Sequence, residues 1–204
     1  MNYKLHYKLD LPLQPLADNF KFPTPQFGYL IYQQDILSDA LITALAKKGF
    51  LIDFTVLFCR KPQYPNAQRM NQGVIHSDVT FVDGQWKPIY YGINYELTNP
   101  DSKLSWWETT DEPIMPAIPT VITLGDTLRG VHYAKRNNMD PINNYKCLDS
   151  AVIKGPTLVN TNIPHSVDYY GQEEIRWGLS IRLKNQYYSW EHSVDAFETL
   201  IIGA

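Results

Sequence analysis

The hydrophobic pattern of the 204-residue chain changes period near Gly49. Upstream, Ala40, Leu41, Ala44 and Leu45 recur at helical spacing. Ser38 can cap this run, Asp39 meets its N-terminal dipole and Lys47-Lys48-Gly49 closes it, which predicts one amphipathic helix. Before it, Pro12, Pro15, Pro23 and Pro25 forbid a long helix or a central strand, so residues 1–30 read as an extended arm across the domain. Downstream, Phe50 to Cys59 (FLIDFTVLFC) is apolar and β-branched enough for a well-buried strand, ended by Arg60-Lys61-Pro62.

Strand-like segments then dominate. Gly73 to Phe81 runs to an Asp83-Gly84 turn, Lys87 to Leu97 runs to Asn99-Pro100-Asp101, and Lys103 to Glu108 follows. Residues 109–120 contain three prolines and read as a long loop, and Gly125 to Lys135 as a short helix before an Asn137-Asn138 turn. Strands resume at Cys147 to Ile153, Thr157 to Ile163 and Ile175 to Leu183, with a last strand or short helix over Val194 to Ile202. Short strands behind a single front helix predict a mainly β sandwich or jelly roll. The chain is read as one domain: 1–49 arm and helix, 50–185 β core, 186–204 C-terminal segment.

Composition narrows the function classes. Hydrophobic residues make up 44% and charged residues 19%, a globular balance. Lys and Arg total 18 against 21 Asp and Glu, and the cations are scattered, which argues against a nucleic-acid partner. No apolar run approaches the ~20 residues that span a bilayer, and the first residues lack an export signal, so a soluble cytoplasmic protein is expected. Cys59 and Cys147, the two cysteines, lack metal-ligand spacing and are expected as buried thiols.

Candidate chemistry starts in Val74-Ile75-His76-Ser77-Asp78-Val79-Thr80. On a strand, His76 and Asp78 leave the backbone on one face, at the separation that two ligands of one metal need. An HxD triplet alone is a weak signal, since a strand histidine often bonds a neighbouring carboxylate. A third candidate follows 89 residues later, His165, after Pro164 at the end of a β-rich run. Two neutral imidazoles and a carboxylate form the facial triad of non-haem Fe(II) oxygenases, which leaves positions open for a cosubstrate and dioxygen. Eleven residues beyond His165 begins RWGLSIR, where Arg176, Gly178, Ser180 and Arg182 share one face and Trp177, Leu179 and Ile181 the other. A buried arginine there needs an anion. His6, His132 and His192 lack a paired carboxylate or ligand spacing and read as surface or hydrogen-bonding residues. Trp106-Trp107 reads as core or loop.

The order HxD, distal His in NIPHSV, then Arg in RWGLSIR resembles the Fe(II)/2-oxoglutarate-dependent oxygenases of the double-stranded β-helix fold, over residues 50–185. Residues 92–99 and 105–108 also resemble the strand and hairpin after HxD in small bacterial and phage members. The resemblance implies a cupin-like jelly roll with the N-terminal helix packed on its sheet. It implies Fe(II) on His76, Asp78 and His165, and 2-oxoglutarate held by Arg176 through bidentate pairing with its distal carboxylate. Ser180, Tyr91 or Tyr95 would add a hydroxyl, Asn94 would contact the metal-proximal end, and Arg182 remains an alternative anchor. The implied activity is hydroxylation of a peptidyl or small-molecule substrate, chosen by loops 61–72 and 106–120. Two rivals stand: a cupin-type metalloenzyme that uses no 2-oxoglutarate, and a non-catalytic jelly-roll binding or structural module.

Overall fold

The structure, a computed structural model, describes residues 4–24, 28–60, 75–82, 85–98, 102–108, 122–124, 127–133, 146–168, 175–184 and 189–203. Its strands are β1 (His6–Lys8), β2 (Gly28–Tyr32), β3 (Ile52–Arg60), β4 (His76–Val82), β5 (Gln85–Pro88), β6 (Tyr91–Glu96), β7 (Lys103–Glu108), β8 (Ile122–Leu124), β9 (Thr127–Tyr133), β10 (Lys146–Val152), β11 (Thr157–Asn160), β12 (His165–Asp168) and β13 (Arg176–Leu183). The helices are α1 (Asp39–Lys47) and α2 (Trp190–Phe197), each capped by a serine side chain, Ser38 and Ser189, that accepts from a backbone N–H of the first turn. The protein is thus mainly β.

Two antiparallel sheets result. One has the order β1-β11-β6-β13-β3-β2, the other β10-β7-β12-β4-β9-β8, with β5 beside β4. The chain crosses repeatedly between them: β3, β6, β11 and β13 belong to the first, and β4, β7, β10 and β12 to the second.

The first sheet carries two different faces, because side chains alternate along each strand. On one, Leu57, Tyr91, Ile93, Tyr95, Leu158, Trp177, Leu179 and Ile181 form the main core with Leu41 and Leu45 of α1 and Trp190, Val194 and Phe197 of α2. Leu41 and Leu45 are fully buried, and each such leucine contributes about 1.5–3 kcal/mol of hydrophobic stabilisation. On the other face lie Gly92, Asn94, Glu96, Arg176, Gly178, Ser180 and Arg182, turned toward the second sheet. A small apolar cluster of Leu104, Trp106, Ile153 and Val159 joins the sheets beside them. Trp106 is wholly buried, and its indole N–H donates to the Asn160 carbonyl at 2.7 Å.

Several segments depart from the pattern read in the sequence. Thr127–Tyr133 is a strand rather than part of a helix: its β-forming Thr127, Val131 and Tyr133 extend because β4 offers a free edge, with Asp78 opposite Val131. The strand expected over Lys87 to Leu97 is two, β5 and β6. Pro88, which has no N–H to continue a ladder, ends the first, and Ile89-Tyr90 crosses to the other sheet. The C-terminal helix begins at Trp190, ahead of the expected Val194, and a 3-10 turn over Glu198–Leu200 completes it. The N-terminal arm adds β1 and β2 to the edges of the first sheet. Cys59 is buried as expected, whereas Cys147 is exposed because β10 is a solvated edge strand. The Asp83-Gly84, Asn99-Pro100-Asp101 and Asn137-Asn138 turns and the loops 61–72 and 109–120 lie outside the described residues. Among the described residues, no helix is long and apolar enough to cross a membrane.

Candidate metal centre

His76 opens β4, Asp78 stands two residues along on the same face, and His165 opens β12, where it pairs in register with His76. One ligand atom from each lies within 4.8 Å of the others. The His76 and His165 rings are 4.6 Å apart between centroids, and His76 Nε2 is 3.7 Å from Asp78 Oδ1. His165 Nδ1 lies 3.0 Å from the Ile163 carbonyl. A carbonyl only accepts, so Nδ1 carries the proton and Nε2 presents its lone pair to the cluster.

The electrostatics favour the protonation states a cation needs. Burial pushes the His165 imidazole down to about 4, and the neighbouring His76 adds to this, so the ring stays neutral at physiological pH. Burial alone would raise the Asp78 carboxyl. The Arg182 guanidinium, with help from both histidines, instead holds it below the ordinary carboxylate range. A buried ionised carboxylate beside the neutral His165 imidazole and the His76 ring is a donor set for a divalent transition metal. Asp78 is also fixed by its backbone: its N–H donates to the Thr161 carbonyl at 2.9 Å, and its carbonyl accepts from Ile89 N–H at 2.9 Å.

The wall opposite the triad is built by β6 and β13. Arg182 donates through Nη2 to Asp78 Oδ2 at 2.5 Å and through Nη1 to the Tyr91 carbonyl at 3.2 Å. Arg176 pairs through Nη2 with Glu96 Oε2 at 2.6 Å, and the Ser102 hydroxyl donates to the same oxygen at 2.5 Å. Both guanidiniums lie against glycine: a Cβ at Gly92 would stand 2.8 Å from Arg182 Nη1, and one at Gly178 would stand 3.2 Å from Arg176 Nη2. Between wall and triad is a cavity of about 110 Å³, lined in part by Phe58, Leu104, Ile153 and Val167. One water needs only about 10–15 Å³ of such space. Three of the residues that line it each carry a buried polar atom with no hydrogen-bond partner among the described residues, namely Asn94 Oδ1, Arg176 Nε and Ser180 Oγ. Buried polar groups are nearly always satisfied, so three orphans in one cavity mark a place for a polar ligand.

His76, Asp78, His165, Asn94, Arg176, Ser180 and Arg182, all candidates from the sequence, therefore meet at one cavity. Tyr95 does not contribute its hydroxyl there. Its ring lies in the apolar core on the opposite face of β6, and its hydroxyl donates to the Pro12 carbonyl at 3.2 Å. The Tyr91 ring lies on that same apolar face, beside Phe197. His6 does have a carboxylate neighbour, Asp149 at 3.6 Å, and stacks on Trp106, while His192 is exposed on α2. The side chain of His132 lies outside the described residues. Sequence reasoning missed Glu96 and Ser102. Glu96 was accessible by the same alternation that pairs Arg176 with Ser180, since Gly92, Asn94 and Glu96 form one period-two row. No protein-family model, curated protein or solved structure matches the chain, so the meaning of this site has to come from its own residues.

Proposed function

We propose that the protein is a non-haem Fe(II)/2-oxoglutarate-dependent oxygenase on a double-stranded β-helix, acting on a peptidyl or small-molecule substrate. The observation that carries this reading is the placement of three orphaned polar atoms, Arg176 Nε, Ser180 Oγ and Asn94 Oδ1, across one cavity from a His-Asp-His cluster. The alternation of β3, β4, β6, β7, β11, β12 and β13 between the two sheets supports the fold assignment.

In this reading His76, Asp78 and His165 would hold iron, which with 2-oxoglutarate and dioxygen would supply oxidative decarboxylation to succinate and carbon dioxide, one oxygen atom of dioxygen entering succinate and the other the hydroxylated C–H bond. The donor set fits: neutral nitrogen, ionised oxygen, and a second oxygen of Asp78 held by Arg182 so that Oδ1 is aimed inward. The anion site fits as well. Arg182 is committed to Asp78 and the Tyr91 carbonyl, whereas Arg176 keeps Nε–H for a ligand oxygen, which favours Arg176 as the anchor. The Ser180 hydroxyl can donate to the same carboxylate, and the Asn94 amide meets polar atoms nearer the triad. Charge agrees too. The two arginines balance Asp78 and Glu96, so a divalent cation leaves the cavity with two positive charges, which a dicarboxylate neutralises. The Phe58, Leu104, Ile153 and Val167 side chains limit water at the reacting end.

Because Arg176 already has Glu96 as a partner, a cupin-type metalloenzyme without 2-oxoglutarate is the second reading. One experiment separates them. Anaerobic Fe(II) titration should show one tight site in the parent protein and sharply weakened binding in His76→Ala, Asp78→Ala and His165→Ala. Succinate formation from 2-oxoglutarate should fall most in Arg176→Ala and less in Arg176→Lys, with iron binding retained in both. Iron binding with no succinate formed by the parent protein would decide for the second reading.

A further inference from the structure

We infer that Glu96 is a resident competitor for Arg176: it holds the guanidinium in place before a ligand arrives and weakens the grip of Arg176 on the acid that binds there. This inference rests on the proposed reading of the cavity as a site for a dicarboxylate.

The geometry has three parts. The Glu96 and Arg176 side chains are both largely buried and lie diagonally across the β6–β13 ladder, in which Gly178 stands opposite Glu96. The missing side chain at Gly178 leaves the room in which the Arg176 guanidinium lies, its Nη2 3.2 Å from where a Cβ would stand. The 2.6 Å contact with Glu96 fixes Nη2, while Nε has no hydrogen-bond partner among the described residues. An incoming carboxylate that takes the Nε–H therefore shares one guanidinium with a carboxylate already present, and the two like charges oppose each other between buried side chains, where screening is weaker than in bulk water. Ser102 moderates this opposition. Its hydroxyl donates to the same Glu96 oxygen that Arg176 uses, which draws part of that oxygen's charge away from the guanidinium.

Glu96 and Ser102 are thus positioning residues whose effects on ligand affinity have opposite signs. Glu96→Gln keeps the shape and a hydrogen-bonding oxygen but removes the competing charge, so it should tighten 2-oxoglutarate binding. Ser102→Ala returns the full carboxylate charge to Arg176, so it should weaken that binding. A purely structural pair would lose affinity in both variants.

The test is calorimetric titration of 2-oxoglutarate into the Mn(II)-loaded full chain, which needs no turnover. The expected result is a gain of roughly tenfold for Glu96→Gln, the scale on which one removed like charge acts inside a binding site, and a smaller loss for Ser102→Ala. In turnover, the Glu96→Gln gain should appear as a lower KM for 2-oxoglutarate. Unchanged or weaker binding in Glu96→Gln would overturn the inference while leaving the oxygenase reading in place. Should Glu96→Gln fail to fold, tighter or equal binding by Ser102→Ala would overturn it in the same way. Absence of 2-oxoglutarate binding in both the parent and Glu96→Gln would overturn the oxygenase reading together with the inference. Binding by Glu96→Gln alone would support the competitor role and reject 2-oxoglutarate as the natural ligand.

Discussion

Replacing Gly92 with alanine tests whether the metal ligand Asp78 is set by the wall behind it. The new Cβ would stand 2.8 Å from Arg182 Nη1 and 3.2 Å from both Arg182 Cζ and Ser180 Oγ. Ordinary contact begins near 3.4 Å, so the guanidinium must retreat by about 0.6 Å. An arginine end usually moves easily, but this one is tied at both nitrogens. Nη1 donates to the Tyr91 carbonyl at 3.2 Å, so a retreat of that size carries it past bonding range, and Nη2 turns with it against Asp78. Losing one hydrogen bond of a charged group costs about 1.5–3 kcal/mol. The stiffer unfolded chain of an alanine variant offsets about 0.4–1 kcal/mol of this. A net loss of about 1–2 kcal/mol follows, a drop in Tm of roughly 2–8 °C for a chain of this size. Since Arg182 orients a ligating carboxylate, Mn(II) affinity should fall roughly tenfold or more. Thermal melting of the metal-free protein and Mn(II) titration read the two effects. A melting point equal to or above that of the parent, with unchanged Mn(II) affinity, would refute the reasoning.

Three further outcomes are expected. Gly178→Ala meets Arg176 at the milder distance of 3.2 Å, so it should weaken 2-oxoglutarate binding in calorimetry while Mn(II) affinity stays within about twofold of the parent, and the reverse pattern would contradict the division of labour between the two arginines. Tyr95→Phe removes the hydroxyl bonded to Pro12, so urea unfolding should show a loss of about 1 kcal/mol with no change in 2-oxoglutarate affinity. The metal-free protein should lose stability as pH falls from 6.5 toward about 4. His165 resists protonation when folded and accepts a proton when unfolded, so the unfolded state binds more protons throughout that window. His165→Asn should flatten the slope of unfolding free energy against pH in that window, and an unaltered slope would show that His165 is not its source.

Much of the site was legible because its residues obey the two-residue period of a strand. His76 and Asp78, and Arg176, Ser180 and Arg182, could be placed on common faces from spacing alone. The same rule, carried through β6, separates Asn94 from Tyr95: neighbours on a strand cannot both face the cavity, and the apolar row Tyr91, Ile93, Tyr95 belongs to the core. Glu96 escaped notice because its partner lies on β13, about 80 residues away, and nothing local announces a cross-ladder ion pair. The β9 strand was obscured for a related reason. Gly130 and the flanking polar residues dilute its pattern, and extension is imposed by pairing with β4. The main strands β3, β7, β10 and β13 were visible within two residues because burial or turn residues bound each of them.

The seam between β4 and β12 gives the metal centre a mechanical meaning. Among the described residues these strands are joined in register at a single position, His76 opposite His165. On one side of that seam lie β4, β5, β8 and β9, and on the other β12, β7 and β10. An ion gripping both imidazoles would act as a rivet through the narrowest join of the sheet. Loading it would stiffen the cavity floor, and stripping it would let the two halves of the sheet part first at the point where the chemistry takes place.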